Sequence, residues 1–312
     1  MLDRASKTFF HLIAQSRILK MLASRYGMGK PESFARRFIA GETAAEAIEA
    51  ARAVEARGMA VTLDLLGESV TNLDKADAAT RDYIAVIDAM VASGIGRNIS
   101  LKLTQLGLDV DKASAVDNLR KILEHAEPAG FFVRIDMENS PYTAVTLETY
   151  ETLWRHGSHH LGVVLQSALY RSEKDLQAIN AFGGHVRLVK GAYQEPKTVA
   201  YQKKADVDAA YARMVQALLA GGHDPAIATH DPAMIELARR TAREHQVAPD
   251  RFEFQMLYGV RRDLQAMLVK AGYRVRVYIP FGREWFPYFM RRLGERPANI
   301  AFVIRSLLGE RE

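Results

Sequence analysis

The chain has 312 residues, 48% of them hydrophobic and 25% charged, with a formal net charge of +5 and no cysteine. That balance belongs to a globular protein long enough to bury a large core, and the lack of cysteine excludes disulfides, thiol catalysis and thiolate-held metals. The modest positive charge suits an anionic ligand or an anionic membrane surface, but no basic stripe interleaved with aromatics supports nucleic-acid binding. No apolar run has the length of a membrane-spanning helix, and the start, MLDRASKTFFHLIAQSR, lacks the apolar block of a secretory signal. A cytoplasmic protein is therefore expected. Glycine, proline and serine never concentrate into a linker, which favours one compact domain behind an N-terminal extension.

In chain order, three helical stretches come first, at 7–26, 32–40 and 43–57. The last is opened by the capping-box pattern Thr43-Ala-Ala-Glu46. They form a predicted helical arm over residues 1–58, whose first helix carries Phe9, Phe10, Leu12, Ile13, Ile18 and Leu19 as a packing face. From residue 59 to 312 short β-rich runs alternate with helix-length amphipathic segments. The runs are MAVTLDLL (59–66), NISLKLTQ (98–105), FFVRIDM (131–137), LGVVLQS (161–167), HVRLVKGA (185–192), AIATH (226–230), FEFQML (252–257) and VRVYIPFG (275–282).

Between them the helices have legible ends. Ser140-Pro141 and Asp231-Pro232 each place a cap before a proline, while Gly94, Gly157 and Gly272 follow helix ends. Eight strand-helix repeats predict an α/β fold, a parallel sheet closed as a (β/α)8 barrel. The alternative, an open doubly wound sheet, is weakened because no GxGxxG follows the first strand.

Strand side chains alternate faces, so residues two apart point the same way. Thr62/Asp64, Ser100/Lys102/Thr104, Arg134/Asp136/Glu138, Gln166, Arg187, His230, Glu253/Gln255 and Arg276/Tyr278 each fall in phase, with mostly apolar neighbours out of phase. Polar groups toward the axis and apolar ones toward the helices satisfy both environments, and barrel chemistry sits at the carboxyl ends of the strands. Two readings follow. One is an internal ion-pair network. The other is a charged ligand cavity, favoured because single buried ion pairs are poor stabilisers.

Lys102, Arg187, Arg291 and Arg292 can hold a carboxylate or phosphate. RHGSHH at 155–160 offers imidazoles but lies on the amino-terminal side, and GMGK at 27–30 lacks the strand and length of a phosphate loop. Lys190 is a Schiff-base candidate whose phase turns it from the face of Arg187, unless it stands at the very end of the strand.

SLKLTQLG (100–107), RIDMENS (134–140), RLVKGAY (187–193), ATHD (228–231), FEFQMLYG (252–259) and YIPFGREWFPYFMRRLGERPAN (278–299) together resemble proline dehydrogenase, the flavin-dependent barrel family of proline catabolism. The resemblance implies FAD as cofactor and oxidation of L-proline to Δ1-pyrroline-5-carboxylate. It also implies that Lys102, Arg291 and Arg292 bind the proline carboxylate, that Asp136 is the active-site aspartate and that Tyr278 packs by the proline ring. Arg187 would lie near the reactive edge of the isoalloxazine. Met137, Gln166, Val189, Lys190, Gly191, Thr229, His230 and Gln255 would contact FAD.

The resemblance further places the final helix over the barrel mouth, where Glu295, four residues after Arg291, is in register to orient it. A quinone-type electron acceptor, peripheral contact with the inner face of the cytoplasmic membrane, and a separate pyrroline-5-carboxylate dehydrogenase downstream complete the expectation for a monofunctional enzyme. A Schiff-base aldolase using Lys102 or Lys190, and a non-catalytic amino-acid-binding barrel, are the rival functions.

Overall fold

The computed structural model describes residues 34–295, with side chains placed from 35 to 290. The predicted helix at 7–26 and the GMGK stretch lie outside the described residues. Eight parallel strands close into a barrel in sequence order: β1 (Ala60–Leu65), β2 (Asn98–Leu101), β3 (Phe132–Ile135), β4 (Leu161–Gln166), β5 (His185–Val189), β6 (His223–Ala228), β7 (Glu253–Leu257) and β8 (Arg274–Phe281). β8 closes on β1 with Thr62 opposite Tyr278 and Asp64 opposite Pro280. Thus all eight predicted strands form, and the open-sheet alternative is excluded by this closure.

Nine α-helices lie among the described residues: α1 (Ala44–Glu55), α2 (Leu73–Ser93), α3 (Lys112–Ala126), α4 (Ser140–Arg155), α5 (Ser172–Ala181), α6 (Lys204–Gly221), α7 (Pro232–Glu244), α8 (Arg262–Lys270) and α9 (Trp285–Glu295). Out-of-phase strand residues such as Val61, Leu63, Ile99, Ile135, Val163, Leu188, Phe254 and Ile279 are buried between sheet and helices. Each such burial contributes roughly 1.5–3 kcal/mol, so alternation along eight strands suffices to orient the sheet.

Local structure follows the sequence reading at α1, which carries the predicted capping box, with Thr43 and Glu46 exchanging side-chain and backbone bonds. It differs at four places. Among the described residues the stretch predicted as a helix at 32–40 forms only a 3-10 helix, Phe34–Arg37, and the strand predicted at 226–230 runs from His223 to Ala228. The predicted strand at 98–105 stops at Leu101, because the chain turns into a 3-10 segment, Leu103–Leu106, ended by Gly107 in the left-handed region (φ 105°). Ser140, read as a cap, is instead the first residue of α4, and the N-cap Asn139 makes no side-chain cap bond.

The last helix departs from the regular barrel plan. α9 does not fill the groove outside β8 and β1; α1 packs there. Instead Trp285, Phe286, Tyr288, Phe289 and Met290 form a second buried cluster with Leu66 and with Ala35, Phe38 and Ile39 of the segment before α1. That segment is lashed to the end of β8 by Ala40 N donating to Pro280 O and Gly282 N donating to Gly41 O, both 2.9 Å. It also presses on Gly259, where a Cβ would stand 1.6 Å from Arg37 O, so only glycine fits that turn. These contacts bring α9 over the carboxyl ends of the strands.

Candidate active site

At that end a cavity of about 600 Å³ opens under Tyr288 of α9, a size typical of small-molecule sites, roughly 300–1,000 Å³. Its charged floor comes from four strands. Lys102 and Asp136 stand one residue past β2 and β3, Arg187 lies in β5 and Tyr278 in β8. The rest of the lining includes Met137 and Gln166, then Val189, Lys190 and Gly191 at the end of β5, then Thr229, His230 and Gln255. The structure thus brings together twelve of the site residues chosen from sequence. The backbones of Arg291, Arg292 and Glu295 belong to α9, and their side chains lie outside the described residues.

The floor is one connected network. Arg187 Nη1 donates to Asp136 Oδ1 at 2.7 Å and Nη2 to Ser100 Oγ at 3.0 Å, while Nε donates to Gln255 Oε1. Tyr278 OH donates to Asp136 Oδ2 at 2.7 Å, and the Arg187 guanidinium carbon stands 5.3 Å from the Tyr278 ring centroid. Lys102 Nζ reaches Asp64 Oδ1 at 3.2 Å and Asp136 Oδ2 at 3.5 Å.

Burial sets the charges here. Burial opposes the Lys102 ammonium, but Asp64 and Asp136 outweigh it and hold its pKa well above the ordinary lysine value. Asp64 is pushed up by complete burial against the pull of Lys102, and its Oδ2 has no hydrogen-bond partner among the described residues. The Tyr278 hydroxyl is likewise pushed well up, by burial first and by the neighbouring Asp136 and Asp64 carboxylates second. At neutral pH the floor therefore offers a fixed ammonium, a guanidinium and a neutral phenol. With Asp64 and Asp136 as counter-charges, such an arrangement can meet a small charged or polar ligand, in a site where screening is weak.

Lys190 resolves differently from its strand phase. β5 ends at Val189, so alternation no longer constrains the next side chain. Its ammonium lines the cavity and is held by Asp208 Oδ1 at 2.5 Å and Asp231 Oδ2 at 2.7 Å. Schiff-base lysines are activated by desolvation or by a neighbouring cation; Lys204 is such a cation, but it shares both carboxylates with Lys190, through Asp208 Oδ2 and at 3.8 Å from Asp231 Oδ2, and these counterbalance it. His230 Nε2 accepts from Leu257 N at 2.8 Å, which in the neutral ring leaves the proton on Nδ1.

Tyr193, Tyr288, Asp208 and Asp231 are further participants that were not selected from sequence. Tyr193 and Tyr288 stand on a loop and a helix, outside the strand alternation that marked the others. Asp231 was read only as a cap, which it also is, accepting from Ala233 N at 3.0 Å. Two of the RHGSHH imidazoles serve local packing and bonding: His159 stands edge-on to Trp154 at 5.0 Å and His156 Nδ1 meets Thr152 O at 2.7 Å.

The family model described as proline dehydrogenase matches residues 47–305. The chain is 42% identical over 312 residues to the proline dehydrogenase of Deinococcus radiodurans, covering 99% of each chain. It is 40% identical over 302 residues to proline dehydrogenase 2 of Bacillus subtilis (strain 168), covering 97% of this chain and 98% of that one. Among solved structures it is similar to proline utilization A (PutA) from Bdellovibrio bacteriovorus inactivated by N-propargylglycine. There the TM-score is 0.80 and the identity 27%, over 89% of this chain and 34% of that one, so the chain spans about a third of that larger protein.

Proposed function

The chain belongs to the proline dehydrogenase family, and on that premise we propose that its barrel mouth oxidises L-proline to Δ1-pyrroline-5-carboxylate with FAD, the first step of proline catabolism. The observation that carries the reading is the Lys102–Asp136–Arg187–Tyr278 network, joined by contacts of 3.5 Å or less, under the helix that bears Arg291 and Arg292.

The residues fit a flavin. Gly191 has φ 115°, and a Cβ there would meet Gln166 Oε1 and Ala168 Cβ, each at 3.2 Å. The left-handed backbone and the closeness of Gln166 and Ala168 favour glycine at this point of the cavity wall. Met137, Val164, Val189, Met256 and Leu257 supply apolar lining, and Lys190, Thr229, His230 and Gln255 supply polar lining. A flavin held there would supply hydride acceptance at N5, taking the hydride from the ring methylene beside nitrogen while the amine gives up a proton, so that the C=N bond forms.

The chain's own residues do the rest. Lys102 holds the substrate carboxylate together with Arg291 and Arg292, and the fixed geometry supplies part of the acceleration through proximity. Tyr278 packs beside the ring and keeps Asp136 oriented through its hydroxyl. Asp136 is an electrostatic partner of Lys102 and Arg187, and Arg187 would supply positive charge to a bound flavin. Glu295, one turn after Arg291, orients it. The chain spans nearly all of relatives of its own size. Those relatives are named proline dehydrogenase, and in this reading the product passes to a separate pyrroline-5-carboxylate dehydrogenase. Electrons leave to a quinone-type acceptor, with peripheral contact at the inner face of the cytoplasmic membrane; no helix among the described residues is long and apolar enough to cross it.

Anaerobic titration of the purified protein with L-proline should bleach the visible flavin absorbance stoichiometrically. A colourless protein trapped by borohydride would identify a Schiff-base enzyme instead, and a yellow protein that binds proline without bleaching would be a binding barrel.

A further inference from the structure

The loop 190–203, between β5 and α6, walls the cavity through Lys190, Gly191, Ala192 and Tyr193. Its later part is tied to the turn after β4. Tyr201 N donates to Ala168 O (2.9 Å), Tyr170 N to Val199 O (3.0 Å) and Tyr170 OH to Lys197 O (3.0 Å). The part nearer the cavity is held elsewhere. Two residues beyond Tyr193, Glu195 Oε1 accepts from Ser140 N at 2.7 Å and Oε2 accepts from Ser140 Oγ at 2.5 Å.

α4 lacks this acceptor locally, because its N-cap Asn139 makes no side-chain cap bond. Ser140 N is one of the donors a helix cannot satisfy internally, and a carboxylate there also meets the positive end of the helix. The acceptor comes from 55 positions away. Ser140 closely follows Asp136 and Met137, which line the cavity, so the two-pronged contact joins two of its walls: the turn after β3 and the loop after β5. Glu195 itself does not line the cavity.

We infer that Glu195 is a positioning residue: it latches the loop after β5 onto the start of α4 and thereby sets the spacing of the two walls around the ligand. Only the kinetic readout of this inference rests on the proposed function. Releasing the latch lowers the fraction of molecules whose loop is competent to bind, and apparent affinity falls by that fraction while the bound complex is unchanged.

Glu195→Ala should therefore raise KM for L-proline about five- to twentyfold, with kcat within about twofold. Ser140→Ala should raise it less, since Ser140 N still donates, and the double variant should be no worse than Glu195→Ala because both remove one contact. Glu195→Gln keeps an oxygen acceptor at the same reach and should recover most of the affinity. This variant, with Ser140→Ala, decides the matter even where Glu195→Ala fails to fold.

Without any substrate, trypsin should cleave Glu195→Ala at Lys197 or Lys203 at least about threefold faster than wild type, because the loop opens more often. If wild type bleaches no flavin with proline, the functional reading falls while the tryptic comparison still judges the latch. Unchanged KM together with unchanged tryptic cleavage overturns the inference. So does a lower melting temperature with KM unmoved, which would leave Glu195 a structural role alone.

Discussion

The lower and upper halves of the barrel interior use the same residue types for different ends. Toward the amino-terminal side, Glu253 takes Arg276 Nε at 2.9 Å and Arg274 Nη2 at 3.4 Å, and Arg276 Nη1 donates to Val61 O at 2.8 Å. Arg134 donates to Val163 O and His185 O at 3.3 and 3.4 Å, its guanidinium carbon standing 4.7 Å from the Phe132 ring centroid. Apart from Arg134 Nε, which has no partner among the described residues, protein groups answer protein groups there, and Gln255 links Glu253 to Arg187 above. At the mouth, Lys102, Asp136, Arg187 and Tyr278 also pair with one another, but they border a cavity and stand beneath α9. A buried charge closed off by its neighbours serves the fold, while one that faces open space is placed for a ligand.

That contrast predicts stability effects below and kinetic effects above. Glu253→Gln should show the largest energy, about 3–5 kcal/mol of lost stability, because it leaves the largely buried Arg276 without its carboxylate; equilibrium denaturation should register this, with a smaller change in proline KM than the mouth variants show. Although burial opposes its charge, Arg276 holds the Glu253 carboxyl down at about 2, against an ordinary 4.5. Its folded pKa is depressed, so its contribution is complete above pH 4.5, and falls away as the pH drops toward 2. Denaturation midpoints measured across that window should lose an acid-dependent component in Glu253→Gln.

Arg187→Met should lower kcat/KM about a hundredfold, near 3 kcal/mol of transition-state stabilisation. A smaller loss than that of Glu253→Gln in melting temperature, beside a larger loss in rate, would sharpen the division. Replacing Arg291 or Arg292 by Met should each raise proline KM about tenfold or more with flavin retained, as expected when one charge-assisted hydrogen bond, about 1.5–3 kcal/mol, is removed. Unchanged KM in both variants would break the assignment of α9 to the mouth chemistry. The smallest effect belongs to Tyr278→Ser, which should open space beside the substrate ring and shift the kcat/KM ratio toward hydroxylated proline by a few-fold. An unaltered ratio would remove Tyr278 from the specificity wall.

Much of the site was legible because strand alternation has period two: that local pattern alone assigned Lys102, Asp136, Arg187, Gln255 and Tyr278 to the interior. It placed Arg134, Glu253 and Arg276 inside with equal force. Phase gives a face, and not a height along the barrel axis, so it cannot separate base from mouth. Lys190 shows the other limit, since its inward placement depends on β5 ending one residue earlier. Glu195 and Ser140 carry no mutual signal in sequence, because their contact joins a loop to the start of α4, which only barrel closure brings together.

By itself the sequence determined the eight strands, the inward polar set and the apolar layer beneath the helices, because these follow from periodicities of a few residues and from the cost of leaving apolar surface in water. Only the tertiary structure decided that α1 fills the groove outside β8 and β1 while α9 crosses the mouth. It also decided which buried charges are closed off and which border a cavity. These outcomes depend on distances between segments far apart in the chain, fixed by packing and by closure of the sheet rather than by any local pattern.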